Sequence, residues 1–304
     1  MTVNAAGSQG GAATLELRQF TVRSAGTTWK GRLDLVSNAE RVALVGDWAP
    51  LFQVLNGRAS VASGSGSFLG CGLEAALSSG LVGFAACDPA LPGSFTVMEY
   101  LRHAARLSHG SSSRAVHDAT RTVDRFGLAE LAPRKLAELA LYQRRALGIA
   151  MASSTAPRLV CLEAPLRGLD AASAEYIARL CLEAARHGRL VWSATLPGGP
   201  SPERSLLDAC DELFVLEHGA LVAHGAPSAV FAAGARYSLQ VKGPRIQDFL
   251  AALRSAGVRL EAQAEVGRFN VELPAAGSES TDLLLDSALD HGLTVLELVP
   301  VFAA

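Results

Sequence analysis

Residues 43–57 constrain this chain more than any other stretch: Ala-Leu-Val-Gly-Asp-Trp-Ala-Pro-Leu-Phe-Gln-Val-Leu-Asn-Gly. Ala43-Leu44-Val45-Gly46 reads as a strand that ends on a glycine, and Leu51-Phe52-Gln53-Val54-Leu55-Asn56-Gly57 reads as a helix that follows it. These are the two ends of a phosphate-binding loop, but the middle is missing. Such a loop needs G-x-x-x-x-G-K-[ST], so that backbone N–H groups wrap phosphate, the lysine reaches the outer phosphates and the hydroxyl holds Mg²⁺. Four residues separate Gly46 from Leu51, where that pattern with its helix needs about eight. None of the four is lysine, serine or threonine, and Asp47 puts a negative charge where phosphate would bind. A helix N-terminus near Leu51 attracts an anion only weakly. The stretch predicts a nucleotide-binding fold whose nucleotide site has been removed.

With 304 residues the chain is long enough for one large unit and one small one. Its 27 basic and 29 acidic residues leave a net charge of −2, which gives no electrostatic footprint for nucleic acid. No apolar run approaches the ~18 residues of a membrane span. The first residues lack the basic flank and apolar core of a signal peptide. The five cysteines, Cys71, Cys87, Cys161, Cys181 and Cys210, are odd in number, widely spaced and without C-x-x-C. That argues against a disulfide framework or a zinc site and for reduced thiols that act as small apolar residues.

Along the chain, residues 1–13 are small and predict a disordered tail. Residues 14–75 alternate short apolar runs with glycine-rich turns, as strands do, and Ser63-Gly64-Ser65-Gly66-Ser67 reads as one of those turns. Residues 96–153 are helical in pattern, with Thr96 and Ser111 to Ser113 as caps. Arg158–Leu162 and Leu190–Ala194 are continuous apolar strands of the buried parallel kind. Between them, residues 171–187 place Ile177, Leu180, Cys181 and Ala184 on one helical face. A loop rich in Pro and Gly follows at Pro197–Pro202. Glu212–Leu216 and Ala220–Val222 form a hairpin around His218-Gly219. From Arg236 the order is strand 237–241, helix 246–256, strands 258–264 and 269–273, helix 281–291 and strand 294–299. That order, βαββαβ, is the ferredoxin-like arrangement.

Four more stretches stand in a telling order. Gly83-Phe84-Ala85-Ala86-Cys87-Asp88-Pro89 runs on through Phe95, Met98 and Tyr100 to Leu101. Leu139-Ala140-Leu141-Tyr142-Gln143-Arg144-Arg145 comes next, then Leu159-Val160-Cys161-Leu162-Glu163-Ala164-Pro165-Leu166-Arg167-Gly168-Leu169-Asp170, then Ser193-Ala194-Thr195-Leu196-Pro197. In order and spacing, over about residues 14–235, the chain resembles the nucleotide-binding subunit of ATP-binding cassette (ABC) transporters. The remainder resembles the extra domain appended to some bacterial transporter ATPases. The resemblance implies an α/β fold of the P-loop NTPase-like ABC type with a helical subdomain, plus a small α+β ferredoxin-like domain. The expected division is 1–13, 14–235 and 236–304.

Against that family the chemistry is eroded at every motif. Cys87 stands where the family has its Q-loop glutamine, and a thiol cannot replace a carbonyl oxygen as a hard-cation ligand. In place of the signature LSGGQ, only Leu139 and Gln143 match. Ala140 has no hydroxyl, and Leu141 and Tyr142 put side chains where backbone must approach phosphate. The Walker B pair of Asp then Glu is Glu163 then Ala164. Glu163 is one methylene too long for a strict Mg²⁺ shell, and Ala164 cannot polarise a water. Thr195 stands at the switch histidine. The adenine-stacking aromatic is absent near residues 23–26, with Trp29 the nearest candidate for either stacking or packing. Gly168-Leu169-Asp170 is kept, and Asp170 serves either a subunit contact or the cap of the next helix.

The expected catalytic set is therefore empty. Glu163, Ala164 and Thr195 are its degenerate positions, and Gly46, Asp47, Trp48, Cys87, Ala140, Tyr142 and Asp170 are the degenerate nucleotide site. No metal and no cofactor are expected, where the family would hold ATP and Mg²⁺. Three functions fit. One is a catalytically silent subunit held by integral-membrane transporter subunits or by an active homologous ATPase, peripheral on the cytoplasmic face of the membrane. In that reading Cys87, Phe95, Met98 and Tyr100 form the docking surface. The second is an ATPase whose unusual site a partner completes. The third is a soluble scaffold outside transport.

Overall fold

The computed structural model of this protein describes residues 12–24, 27–29, 32–109, 112–195, 201–217, 219–233, 236–263, 266–273 and 280–300. Most of the expected tail, Ser111, the 197–200 part of the expected loop, and His218 lie outside the described residues.

The chain opens with an antiparallel sheet. β1 (Leu15–Ser24) pairs with β2 (Thr27–Thr28) and β3 (Leu33–Ser37). Leu15, Leu17, Phe20 and Val22 are buried. The step from Leu17 to Phe20 breaks the two-residue period because a bulge falls there, with Gln19 at φ +48°. The Asp34 carboxylate holds that bulge by accepting from the Gln19 backbone N–H at 2.8 Å and from its side-chain amide.

β4 (Arg41–Gly46) and α1 (Ala49–Leu55) follow, then β5 (Ser60–Phe68), β6 (Cys71–Gly72) and α2 (Leu73–Ser78). The expected turn at Ser63–Ser67 is corrected here: these residues lie inside β5 and pair with β1. Small residues are needed there for close approach, not for reversal. A Cβ on Gly64, at φ +77°, would sit 2.2 Å from the Gln19 carbonyl oxygen. One on Gly66 would press on Leu73, Leu17 and Phe20.

The larger sheet, to which β4 already belongs, has β7 (Val82–Ala85) at one edge. Two antiparallel-packed helices, α3 (Val97–His109) and α4 (Ser112–Arg125), leave the sheet and make the helical part. Thr96 caps α3: its hydroxyl accepts from the Glu99 N–H at 3.2 Å while the Glu99 carboxylate accepts from the Thr96 N–H at 2.8 Å. The chain returns through α5 (Leu141–Ser153), β8 (Leu159–Leu162), α6 (Ala171–Ala184), β9 (Arg189–Ala194), α7 (Pro202–Asp208), β10 (Glu212–Glu217), β11 (Ala220–Gly225) and α8 (Pro227–Ala233). Strand order is β11-β10-β4-β9-β8-β7, parallel throughout except for β11, which closes an edge as the expected hairpin.

Because this sheet is covered on both faces, its central strands read as apolar runs and not as alternation. Val42 and Leu44 face a core shared with the antiparallel sheet, and Ala43 and Val45 face a second core under the helices. Ile177, Leu180, Cys181 and Ala184 of α6 are buried in that second core, as their spacing predicts.

The last part runs β12 (Arg236–Lys242), α9 (Ile246–Ser255), β13 (Arg259–Ala262), β14 (Arg268–Glu272), α10 (Ser280–Asp290) and β15 (Thr294–Pro300). Its four strands form one antiparallel sheet in the order β13-β14-β12-β15. A third core of Leu239, Val241, Phe249, Leu253, Val271 and Leu284, among others, draws only on residues from this part. A fragment of residues 236–304 is therefore expected to fold alone, with a cooperative thermal transition by circular dichroism. A fragment without one would mean that this sheet depends on the rest of the chain.

Candidate functional site

The junction of β4 and α1 is where a phosphate loop would stand, and a tryptophan fills it. Gly46 adopts φ +96°, and a Cβ there would lie 2.1 Å from the Leu216 carbonyl oxygen. Only glycine permits the chain to turn against β10 so closely. The next N–H, of Asp47, donates to that same carbonyl at 3.1 Å. This sharp turn sends Trp48 inward, where its side chain is fully buried. Its indole N–H donates to Val45 O at 3.1 Å and Phe214 O at 3.3 Å, so the polar handle of the ring is satisfied inside the protein.

Trp29 packs against it. The two indoles meet edge to face at 5.8 Å, and Phe20 meets Trp29 at 6.1 Å. The Trp29 N–H donates to Asp47 O at 3.0 Å. Trp29 is thus a packing residue that fastens the loop, and its buried ring is not presented as a stacking platform.

α1 begins at Ala49, two residues before the expected start, and has seven residues. Pro50 occupies its first turn and removes one of the free N–H donors that an anion would use. Trp48, the residue before the helix, offers no side-chain cap. An indole in the cradle, one donor fewer and an exposed carboxylate at Asp47 make a set that does not fit a triphosphate with Mg²⁺.

The remaining motif positions are taken up by contacts within the chain. Glu163 accepts from the Cys87 backbone N–H at 3.1 Å, which ties the end of β8 to the segment after β7. Ala164 sits at φ +39°, held by its N–H donating to the Ser193 hydroxyl at 2.9 Å. Arg145, a buried residue of α5, donates to the carbonyls of Ala164 at 2.8 Å, Pro165 at 3.1 Å and Arg167 at 3.2 Å. These carbonyl dipoles hold the guanidinium and fix the loop after β8. Sequence reasoning missed both Ser193 and Arg145, since neither occupies a motif position that carries chemistry.

At the signature place, Ala140 precedes α5, and the Gln143 side chain reaches back to its N–H at 3.0 Å. Tyr142 packs edge to face on Tyr176 at 6.1 Å. Asp170 caps α6, accepting from the Ser173 N–H at 3.0 Å and hydroxyl at 2.8 Å, and these bonds hold its carboxyl below the usual range. Thr195 is exposed, and its N–H donates to Glu203 at 3.1 Å. Burial raises the Glu203 carboxyl, with the Thr195 bonds opposing. Glu203 is a third residue that no motif marks.

The docking set needs one correction. The Cys87 side chain is buried at 3% exposure, packed inward, and offers no surface to a partner. Phe95, Met98 and Tyr100 are half-buried against the core under the helices. Phe95 also meets His103 edge to face at 5.9 Å and lines a groove of about 590 Å³ between α3 and α4. Arg102 and Arg106 stand on its rim, with Ala115 and Val116 on the far wall.

No family model matches the chain. In sequence it is similar to the energy-coupling factor transporter ATP-binding protein EcfA of Methanothermobacter thermautotrophicus, 27% identical over 148 residues, 48% of this chain and 45% of that protein. It is also similar to ABC transporter G family member 11 of Arabidopsis thaliana, 29% identical over 174 residues, 54% of this chain and 24% of that protein. The chain spans less than half the length of the curated relatives it matches. Among solved structures it is similar to cbiO1 of Clostridium perfringens, described as part of the ABC transporter complex cbiONQ, with TM-score 0.61 and 21% identity over 73% of this chain and 91% of that one. A metal-chelate type ABC transporter in an inward-facing conformation matches with TM-score 0.58 and 16% identity, over 86% of this chain and 96% of that one. The fold of this chain is that of the ATP-binding subunits of ABC transporters.

Two outcomes follow from this geometry. Trp48→Ala is expected to cost about 3–5 kcal/mol in denaturant unfolding, the range for a fully buried aromatic. For Glu203 the sign is set by its raised carboxyl: burying the charged form costs stability as pH rises past the unfolded carboxylate value, and costs nothing below it. Glu203→Gln keeps an acceptor for Thr195 and removes that cost. Melting scans should show it more stable than the parent at neutral pH and equal to it below about pH 4.

Proposed function

We propose that this chain is a subunit of an ABC transporter complex that does not hydrolyse ATP and acts by its fold and its contacts. The observation that carries this reading is the Trp48 indole, buried in the turn between β4 and α1 and hydrogen-bonded to β4 and β10. Phosphoryl transfer is mainly positioning and charge stabilisation, and the groups at the motif places of this chain are bonded to one another. Glu163 is bonded to Cys87, Ala164 to Ser193, and Thr195 to Glu203.

The partner in this reading is an integral-membrane transporter subunit, and the chain sits on the cytoplasmic face of the membrane. No helix among the described residues is long and apolar enough to cross a membrane. The groove between α3 and α4, with Phe95 in its wall, is the docking place. Met98 and Tyr100 support it from the core side.

The purified chain is expected to release no phosphate from Mg-ATP above background, and turnover that Glu163→Gln abolishes would overturn the reading. Mg-ATP should also leave the melting temperature unchanged. A site occupied at about a thousand times its Kd would add about 4 kcal/mol and raise it clearly, which would favour an ATPase completed by a partner. For docking, Arg102→Glu with Val116→Asp alters exposed groove residues. That variant should lose co-sedimentation with membranes of the source cell while melting like the parent. Retained sedimentation would place docking elsewhere.

A further inference from the structure

Charge is spread unevenly over the two helices that leave the parallel sheet. The whole chain carries −2, yet between Tyr100 and Val123 stand four arginines and one acid, Asp118. Asp118 is buried and pairs with Arg121 at 3.0 Å and Arg114 at 3.8 Å, so the two arginines of α4 in this span are answered within the chain. The two of α3, Arg102 and Arg106, are exposed and have no ion pair among the described residues. The carboxylate that lines the groove beside them, Glu99, is spent on the start of its own helix. It accepts from the Thr96 N–H at 2.8 Å and the Thr96 hydroxyl at 3.0 Å. Those bonds hold its carboxyl below the usual range, and Arg102 adds a smaller pull.

Arg102 and Arg106 are spaced i and i+4, which sets their Cβ atoms about 6 Å apart on one face of α3. At that spacing two guanidiniums share one phosphate. The groove follows α3 for about two turns, from Glu99 to Arg106. Because α4 runs back antiparallel, its early residues Ala115 and Val116 stand opposite the late residues of α3 and wall the Arg106 end. Val116 is 44% exposed. Leu107, next to Arg106 and outside the groove lining, is 76% exposed, and no described large apolar side chain up to residue 233 is more so. Arginines flanked by apolar side chains that project into solvent are the pattern of a helix that lies on a membrane surface. A protein partner calls for a contiguous apolar centre with charge at its rim, whereas Leu107 and Val116 stand singly on separate helices.

We propose that the Arg106 end of this groove holds the phosphate of an anionic phospholipid, with Leu107 dipping into the bilayer interface beside it. The occupant is argued from charge complementarity. The cytoplasmic leaflet is negative and attracts arginines near its surface, and here two unanswered guanidiniums converge on one place. Arg102 and Arg106 hold the phosphate between them, while Ala115 and Val116 face the apolar part of the lipid. The inference rests on the proposed seat at the cytoplasmic face of a membrane, and it divides the groove. The Phe95 end receives the transporter subunit, and the Arg106 end receives the lipid that surrounds that subunit.

The test uses the full chain and protein-free vesicles. The chain should co-sediment with vesicles that contain phosphatidylglycerol, remain in solution with phosphatidylcholine alone, and be released by salt. Arg102→Gln with Arg106→Gln should weaken vesicle binding about 25-fold, which is about fivefold for each charge removed. Leu107→Ser should weaken it about tenfold. These variants should melt like the parent, since all three side chains are exposed. Arg58→Gln with Arg254→Gln makes the same charge change at exposed positions elsewhere and should bind like the parent. No binding to the anionic vesicles, or an equal loss in the Arg58 and Arg254 variant, would overturn the inference. A chain that ignores vesicles yet sediments with membranes of the source cell would give the whole groove to a protein partner, ending this inference and sparing the proposed function. Vesicle binding by a chain that also releases phosphate from Mg-ATP would do the reverse.

Discussion

The turn at Gly46 depends on one buried ring. The Trp48 indole bonds to the carbonyls of Val45 and Phe214, on the neighbouring strands β4 and β10, and so clamps the centre of the parallel sheet at the place where a ligand would otherwise organise the loop. The short link forces this arrangement. With so few residues between strand and helix, the backbone must turn at once against Leu216, which demands a glycine, and the side chain two positions later has nowhere to go but inward. Trp29 then closes over it and anchors Asp47 by its own N–H. The aromatic cluster joins the antiparallel sheet to the parallel one.

On the other side of the sheet, polar groups do the equivalent work. The loop after β8 is held by Arg145, which has carbonyl partners and no carboxylate among them in that loop. A buried guanidinium costs several kcal/mol unless its donors are met; the three carbonyls meet the two Nη groups only while the loop keeps its shape, and the buried Nε has no hydrogen-bond partner among the described residues. Ala164 at positive φ is a strained residue. Its strain is offset by the Ser193 bond to its N–H and the Arg145 bond to its carbonyl. Side chains at places where chemistry would be done are therefore engaged in shaping the backbone.

The sequence was legible where burial imposes a period. The apolar runs of β4, β8 and β9 announced a covered parallel sheet, and the alternation of Leu239 and Val241, Phe269 and Val271 announced the half-covered small one. It misled at Ser63–Ser67, because a strand of glycines and serines carries no period and looks like a turn. What makes it a strand is the bulged backbone of β1 beside it. The missing lysine and glycines were plain from spacing, but the indole that takes their place was not. Whether a tryptophan enters a loop or leaves it is decided by the carbonyls within reach, here Val45 and Phe214. Cys87 was misplaced for a like reason: its neighbours suggested a surface, while its backbone N–H is drawn to Glu163 and its thiol turns inward.

If the chain keeps this fold without nucleotide, as proposed, the lost binding energy has to come from elsewhere, and the magnitudes match. A ligand held at a thousand times its Kd contributes about 4 kcal/mol to the folded state. Burying one tryptophan removes roughly 200 Å² from water, which at ~25 cal/mol per Å² is about 5 kcal/mol. One indole in the loop is thus worth about what a well-bound nucleotide would supply, with no dependence on ligand concentration. The proposed function then implies a loss of switching as well as of catalysis. A subunit that binds no nucleotide, as proposed, would not be switched by it, since a ligand shifts an equilibrium only by its differential affinity for the two states. A signal that such a subunit transmits would enter through its outer surfaces, by contact with another protein.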